Sequence, residues 1–113
     1  MKKRFLTVAL SLVMGFGVAA SLASCGEGED KFKFGLICLH DETSTYDKNF
    51  IDAARRAVEE VGLDADQFIM KTGIPELSEC KEAALDLVDQ GCDLIFADSF
   101  GHEPFVREAA EEN

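Results

Sequence analysis

Two polar segments of this chain contain residues that could bind a ligand. Residues 40–47 hold acids, hydroxyls and a tyrosine directly after the apolar run 34–39, and residues 98–102 follow the apolar run 94–97. Carboxylates accept hydrogen bonds from hydroxyl groups, and aromatic rings stack on planar heterocycles. These residue types are suited to a polyhydroxylated ligand with a planar ring, although each residue taken singly could equally belong to an ordinary solvated surface.

The elements around these segments predict where they lie. Alternating apolar runs and helical periodicity predict strands over residues 33–39, 67–71 and 93–97, and helices over residues 48–61, 77–90 and 103–112. This order is typical of an α/β protein that has a parallel β-sheet with flanking helices. Right-handed crossovers place the loops that follow parallel strands at one edge of the sheet, where ligands bind. We therefore expect both polar segments at that edge.

The ends of the first helix can also be predicted. Asp47 is expected to be its N-cap, and Gly62 is expected to end it in a left-handed conformation. Residues spaced three and four apart should form its buried face. The expected face consists of Phe50, Ala54, Ala57, Val58 and Val61.

The N-terminal part reads as an export signal. A basic leader precedes an uncharged apolar segment over residues 5–20, which is short for a membrane span. Leu22-Ala23-Ser24-Cys25 resembles a bacterial lipobox, in which the cysteine receives diacylglycerol and becomes the mature N-terminus. The alternative is an ordinary signal peptide that is cut near Ala23.

The lipobox divides the chain into three parts. Residues 1–24 are expected to be a lipoprotein signal peptide, residues 25–31 a flexible spacer, and residues 32–113 a folded α/β region. Acyl chains on Cys25 would anchor the protein to the cell membrane on its extracytoplasmic side.

Charge and cysteine content exclude several classes of function. The chain has a formal net charge of −11 and the leader holds no acid, so the remainder is more acidic still. Such a surface repels phosphate backbones, which disfavours a nucleic-acid partner. Cys38, Cys80 and Cys92 match no zinc pattern and are expected to be free, buried thiols.

Catalytic and cofactor chemistry is not expected. His40 and His102 could ligate a metal with Asp41 or Asp98, but their spacing matches no signature, so neither metal nor cofactor is predicted. A glycine-rich phosphate loop and a Gly-x-Ser-x-Gly elbow are both missing from the sequence. An exported hydrolase that uses Asp41, His102 and Ser99 remains an alternative.

The sequence also resembles a known family in several blocks. These are the lipobox, the acidic spacer, Phe-Gly-Leu-Ile at 34–37, Asp-Glu-Thr-Ser-Thr-Tyr-Asp at 41–47, and Gln-Gly-Cys-Asp-Leu-Ile-Phe-Ala-Asp-Ser-Phe-Gly at 90–101. In these blocks the chain is similar to the basic membrane protein (BMP, PnrA-like) family, whose members are substrate-binding lipoproteins of ABC transporters. The resemblance covers essentially all of residues 31–113. Many relatives carry Asp-x-Ser-Phe-Asn after the first strand, whereas residues 44–50 of this chain spread the aromatic and amide residues differently.

The resemblance implies a fold and a site. The fold is a type I periplasmic-binding-protein architecture of two α/β lobes, of which residues 32–113 would be part of the N-terminal lobe; a standalone mini-domain is the alternative. The chain is accordingly interpreted as the N-terminal fragment of a longer protein. The residues implied to line the cleft are Asp41, Ser44, Tyr46, Asn49, Asp98, Ser99 and Phe100.

The function implied is binding rather than catalysis. The protein would be a lipid-anchored receptor that captures a nucleoside-like solute and delivers it to the permease and ATPase subunits of an ABC transporter. The alternative is a ligand-sensing lipoprotein of the same fold that presents its ligand to a signalling partner at the membrane.

Overall fold

Three short parallel strands form the sheet of this protein. A computed structural model describes residues 31–113, and within them the strands are β1 (Phe34–Ile37), β2 (Phe68–Lys71) and β3 (Leu94–Ala97). The strand order is β2-β1-β3, and β1 pairs in parallel with both neighbours. The α/β class with a parallel sheet and flanking helices is therefore confirmed.

Three helices alternate with the strands. They are α1 (Thr45–Val61), α2 (Ser78–Asp89) and α3 (Glu103–Glu111), and short 3-10 turns lie at Ala65–Gln67 and Phe100–His102. The predicted strands and helices all exist, and most of their ends differ from the observed ones by only one or two residues. The exception is α1, which begins at Thr45 rather than at residue 48.

The start of α1 corrects the predicted cap. Ser44 is the N-cap, with extended backbone angles, and its side-chain oxygen accepts a hydrogen bond from the Asp47 amide at 3.3 Å. Asp47 instead lies in the first turn of the helix and is fully buried. The prediction of Asp47 as the cap was wrong because a serine three residues earlier is an equally good cap. The predicted end is confirmed, since Gly62 has a φ of 73°.

The sheet separates two apolar clusters, because successive side chains of a strand point to opposite faces. On one face, Phe34, Leu36 and Cys38 pack with Ile51 and Ala54 of α1. The predicted buried face of α1 was therefore partly wrong. The buried positions are 47, 51 and 54, and position 58 is partly buried. The predicted positions 50, 57 and 61 are exposed, position 50 by 40% and position 61 by 69%.

On the other face, α2 and α3 pack against Ile37. The buried residues of this cluster are Ile37, Cys80, Ala83, Ala84, Leu87 and Ala109.

Gly35 allows α2 to approach β1 closely. A Cβ at this position would lie 2.9 Å from Leu87 Cδ1 and 3.3 Å from Cys92 Sγ. The cysteines Cys38, Cys80 and Cys92 are free, as predicted, although Cys92 is only partly buried.

The outer strand β3 leaves apolar side chains uncovered. Leu94 is 43% exposed and Phe96 is 54% exposed, and both border a groove of about 260 Å³ on the α1 side of the sheet. Strands of parallel sheets are usually covered on both faces. β3 therefore has the composition of an interior strand but lies at an edge of the described sheet.

Several predictions lie outside the residues that the structure describes. These are the signal peptide over residues 1–24, the lipidation of Cys25 and all of the spacer except Lys31. Within residues 31–113, no helix combines the length and the apolar character that crossing a lipid bilayer requires.

Candidate functional site

Three loops meet at the carboxyl edge of the sheet, one after each strand. We name them loop 1 (residues 38–44), loop 2 (residues 72–77) and loop 3 (residues 98–102). Loop 1 lies between the other two because β1 is the central strand. The predicted meeting of the two polar segments at one edge is therefore confirmed, and loop 2 is an addition that sequence reasoning missed.

Backbone hydrogen bonds join loop 1 to loop 2. The Gly73 amide donates to the His40 carbonyl at 3.2 Å, and the Ile74 amide donates to the Cys38 carbonyl at 3.0 Å. These bonds continue the β1–β2 ladder beyond the ends of the strands. Loop 1 is consequently held in place, on the side that faces loop 2, by main-chain hydrogen bonds.

Asp98 joins loop 3 to loop 1. Its amide donates to the Ile37 carbonyl at 3.0 Å, and its Oδ1 accepts a hydrogen bond from the Leu39 amide at 3.1 Å. The Tyr46 hydroxyl donates to the Asp98 carbonyl at 2.8 Å. Asp98 is only 4% exposed, so its described contacts are with the protein itself.

Asp47 anchors the other end of loop 1. Its Oδ1 accepts a hydrogen bond from the His40 amide at 2.9 Å, and its Oδ2 lies 3.2 Å from His40 Nδ1. Burial by itself raises the pKa of Asp47, but hydrogen bonding with Ser44, His40 and Asp98 outweighs burial and holds this pKa well below its ordinary value. Asp47 is therefore a carboxylate that holds its loop in shape.

The pKa of Asp98 is shifted in the opposite direction to that of Asp47. Burial and the neighbouring Asp47 carboxylate raise the pKa of Asp98, and the hydrogen bond from the Leu39 amide offsets this only in part. Two carboxyl groups at the same edge are thus pushed toward different protonation states.

The solvent-facing surface of the edge is aromatic and acidic. Phe100 is 94% exposed and Tyr46 is 57% exposed, and the Tyr46 ring lies 5.1 Å from the Phe50 ring, centroid to centroid. Asp41 is also exposed, and its Oδ1 accepts hydrogen bonds from the Thr43 amide and hydroxyl at 2.8 and 2.6 Å. The hydrogen bond from the Thr43 hydroxyl is the main cause of a lowered pKa at Asp41. This carboxyl is therefore charged at any pH above its ordinary pKa of 3.8.

The other predicted site residues have partners within the protein. Ser44 caps α1, and the Asn49 side-chain amide donates to the Thr45 carbonyl of the same helix at 3.0 Å. Ser99 donates its hydroxyl hydrogen bond to Glu76 Oε1. Of the seven predicted residues, Asp41, Tyr46, Asn49 and Phe100 are exposed, Ser44 and Ser99 are partly buried, and Asp98 is buried.

Glu76 of loop 2 is a site residue that sequence reasoning missed. Its Oε1 also accepts a hydrogen bond from the Gly101 amide at 3.1 Å, and hydrogen bonding to Ser99 is the main cause of its lowered pKa. The sequence did contain a signal, since Glu76 follows the turn after the second strand. A carboxylate after each of three parallel strands would have pointed to it.

The residues of the hydrolase alternative are paired elsewhere. The fully buried His102 has its Nε2 2.8 Å from the Ile74 carbonyl, while Ser99 is bonded to Glu76 and Asp41 to Thr43. The nearest approach to a metal-binding set in residues 31–113 is Cys38, Asp47 and Asp98, whose ligand atoms lie within 4.8 Å of one another. It contains neither of the two histidines that the sequence offered.

The chain was also compared with known proteins. No family model, no curated protein and no solved structure matches it.

Proposed function

We propose that this protein is an extracytoplasmic, lipid-anchored substrate-binding protein of an ABC transporter and that it binds a nucleoside-like solute at the three loops. The single observation that carries the proposal is the joining of the first turn of α1 to loop 3 through the bond from the Tyr46 hydroxyl to the Asp98 carbonyl. This bond places a half-exposed aromatic ring beside the loop that bears Phe100.

The chemistry of the exposed groups supports a nucleoside. The rings of Tyr46, Phe50 and Phe100 offer faces on which a base can stack, and stacking of a base on an aromatic side chain contributes about 1–3 kcal/mol. Asp41 and Glu76 offer carboxylates that can accept hydrogen bonds from ribose hydroxyls. The acidic character of the same loops favours an uncharged ligand over a phosphorylated one.

Residues 32–113 are proposed to be part of the N-terminal lobe of a type I periplasmic-binding-protein fold. The strand order, the ligand groups at the carboxyl edge and the exposed apolar side chains of β3 support this proposal. The second lobe would supply the opposite side of the cleft, and the protein would deliver its ligand to a permease and an ATPase. The anchor at Cys25 and the position at the cell membrane are proposed from the lipobox.

Chemical-shift mapping on the nitrogen-15-labelled chain tests the proposal. Titration with inosine, adenosine and uridine into the millimolar range should shift the amides of loops 1 and 3 in a saturable manner. Adenosine monophosphate should bind more weakly than adenosine because the loops are acidic. Unchanged loop amides with every nucleoside would remove the ligand claim.

Variants make the test specific to the loops. Phe100→Ala should weaken binding by the stacking contribution of about 1–3 kcal/mol, and Asp41→Asn should weaken it through loss of a charged acceptor. Asp52→Asn is the matched control, since Asp52 lies on α1 and pairs with Lys48 at 2.7 Å. Equal affinity in all three variants would place the site elsewhere.

A further inference from the structure

Asp47 and Asp98 are two buried carboxyl groups from different elements, and a carboxyl oxygen of one lies within 4.8 Å of a carboxyl oxygen of the other. Asp47 belongs to the first turn of α1 and is fully buried, and Asp98 follows β3 and is 4% exposed. Within residues 31–113, the only ion pair found for either carboxyl joins Asp47 to His40, whose side chain is 63% exposed. Two adjacent negative charges in a desolvated place are strongly unfavourable.

The hydrogen-bond partners of the four carboxyl oxygens leave one position open. Both oxygens of Asp47 are paired with His40, and Asp98 Oδ1 accepts from the Leu39 amide. Asp98 Oδ2 is buried and accepts no hydrogen bond from a nitrogen or oxygen donor of the described residues, and the nearby side-chain groups are the Asp47 carboxylate and the Cys38 thiol. A proton on this oxygen would convert it into a donor and would remove one of the two negative charges.

A metal ion is a less suitable partner for Asp98 Oδ2 than a proton. A structural zinc ion takes four ligands and a thiolate rather than a thiol, whereas the cluster offers three ligand atoms, one of them the Cys38 sulfur. Burial, together with the nearby Asp98, raises the pKa of Cys38 to about 12. Three of the four carboxyl oxygens already have nitrogen partners. The cluster of Cys38, Asp47 and Asp98 therefore lacks the fourth ligand and the thiolate of a zinc site. A single proton on Asp98 Oδ2 is enough to make that oxygen a hydrogen-bond donor.

We propose that Asp47 and Asp98 share one buried proton, which is carried by Asp98 and which ties the start of α1 to the end of β3. The pair and its proton are together called the carboxyl pair. This inference goes beyond the proposed function and is independent of any ligand, since it concerns groups that are closed to solvent. It makes the junction of loops 1 and 3 sensitive to pH.

The groups that face the carboxyl pair set the direction of this sensitivity. They are the Cys38 thiol, His40 and Asp41, all three from loop 1. The pKa of Asp98 is raised in the folded state, so its protonation stabilises the fold fully below the ordinary aspartate pKa of 3.8, and this contribution is lost as pH rises through the folded pKa. Asp47 has the opposite sign, so its contribution is lost as pH falls below 3.8. The carboxyl pair should therefore stabilise the fold most near pH 3.8, where neither contribution has yet been lost to a large extent.

Titration of the aspartate side-chain carboxyl carbons by NMR, on the carbon-13-labelled full chain, tests the proposal directly. The Asp98 carboxyl should remain protonated above the ordinary pKa, whereas that of Asp47 should remain ionised below it. An Asp98 carboxyl that titrates at or below 3.8 would overturn the proposal. One equivalent of metal in the purified protein, found by elemental mass spectrometry, would overturn it as well.

A matched pair of variants gives a second readout. Asp98→Asn keeps the shape of the protonated acid and retains a donor toward Asp47, so this variant should fold. It should lose the decline in stability that the proposal predicts for the wild-type protein above pH 3.8. That decline amounts to about tenfold in the unfolding equilibrium constant per pH unit over which only the folded state keeps the proton. Asp89→Asn, at the exposed end of α2, should retain the wild-type profile. If Asp98→Asn fails to fold, the carboxyl titration of the wild-type chain decides the question.

Discussion

The Tyr46 hydroxyl donates a hydrogen bond to the backbone carbonyl of Asp98 at 2.8 Å, across 52 positions of sequence. The bond joins the first turn of α1 to the end of β3, so two segments that are distant in the chain form one surface. The same tyrosine ring packs beside Phe50 and is still 57% exposed. Tyr46 thus combines a structural hydroxyl with a ring face that is free for a ligand.

Removal of this hydroxyl should lower stability measurably. Tyr46→Phe keeps the ring but loses the bond to the Asp98 carbonyl, and a hydrogen bond of this kind contributes about 0.5–1.5 kcal/mol. The free energy of unfolding, measured with urea, should fall by that amount. Phe100→Leu is the control, because Phe100 is 94% exposed and the change should stay within about 0.5 kcal/mol. Equal losses in the two variants would contradict the structural role of the hydroxyl.

The cap of α1 gives a second prediction. Ser44→Ala removes the oxygen that accepts from the Asp47 amide, and the loss of such a cap costs about 1 kcal/mol. Ser78→Ala is the matched control, since Ser78 is exposed in the first turn of α2 and its hydroxyl donates to the side chain of Glu79 at 3.3 Å rather than accepting from a backbone amide. Thermal melting should separate the two variants. A melting temperature of Ser44→Ala equal to that of Ser78→Ala would indicate another cap.

Close packing at Gly35 gives a third prediction. Gly35→Ala would place a Cβ 2.9 Å from Leu87 Cδ1, and overpacking of a core costs about 1–3 kcal/mol. Leu87→Val removes that methyl group, so the double variant should lose less stability than the two single losses added together. A double-mutant cycle in urea measures this coupling. Simple additivity would show that the contact with Leu87 does not cause the loss of stability in Gly35→Ala.

Glu76 gives a prediction of pH dependence. Its pKa is lowered from 4.5, mainly by the hydrogen bond from Ser99, so its stabilising contribution is present above pH 4.5 and is lost as pH falls through the folded pKa. The Gly101 amide, which donates to Glu76 Oε1, should therefore titrate in NMR spectra with a midpoint below 4.5. Glu76→Gln should abolish this titration, while Glu79→Gln should preserve it. A midpoint at or above 4.5 would mean that the carboxylate does not hold loop 3.

The strands and helices could be predicted because their signals are local. The apolar runs that became β1 and β3 and the glycine at position 62 each indicate a structure from a few neighbouring residues. The parallel sheet then followed from the alternation of strands and helices, and the meeting of loops 1 and 3 followed from the right-handed crossover rule. The start of α1 was missed because Ser44 and Asp47 are both good caps, and only the fold decides between them.

The environment of the site could not be predicted because it depends on contacts between distant residues. Both Asp41 and Asp98 follow an apolar strand, yet one is exposed and the other is buried against the backbone of residue 39. The contact of Glu76 with Ser99 spans 23 positions, and no local pattern encodes it. Ile51 was omitted from the predicted face of α1 because Phe50 and Val61 fit the same periodicity equally well.

The central claim is that a nucleoside binds beside Tyr46, and tyrosine fluorescence tests it most directly. The chain has one tyrosine and no tryptophan, so its emission reports on residue 46 alone once free tyrosine has been used to correct for absorption by the nucleoside. The account predicts a saturable change in emission with inosine or adenosine that is weakened in Phe100→Ala and unchanged in Asp52→Asn. Emission that stays constant after correction, with every nucleoside into the millimolar range, would contradict it.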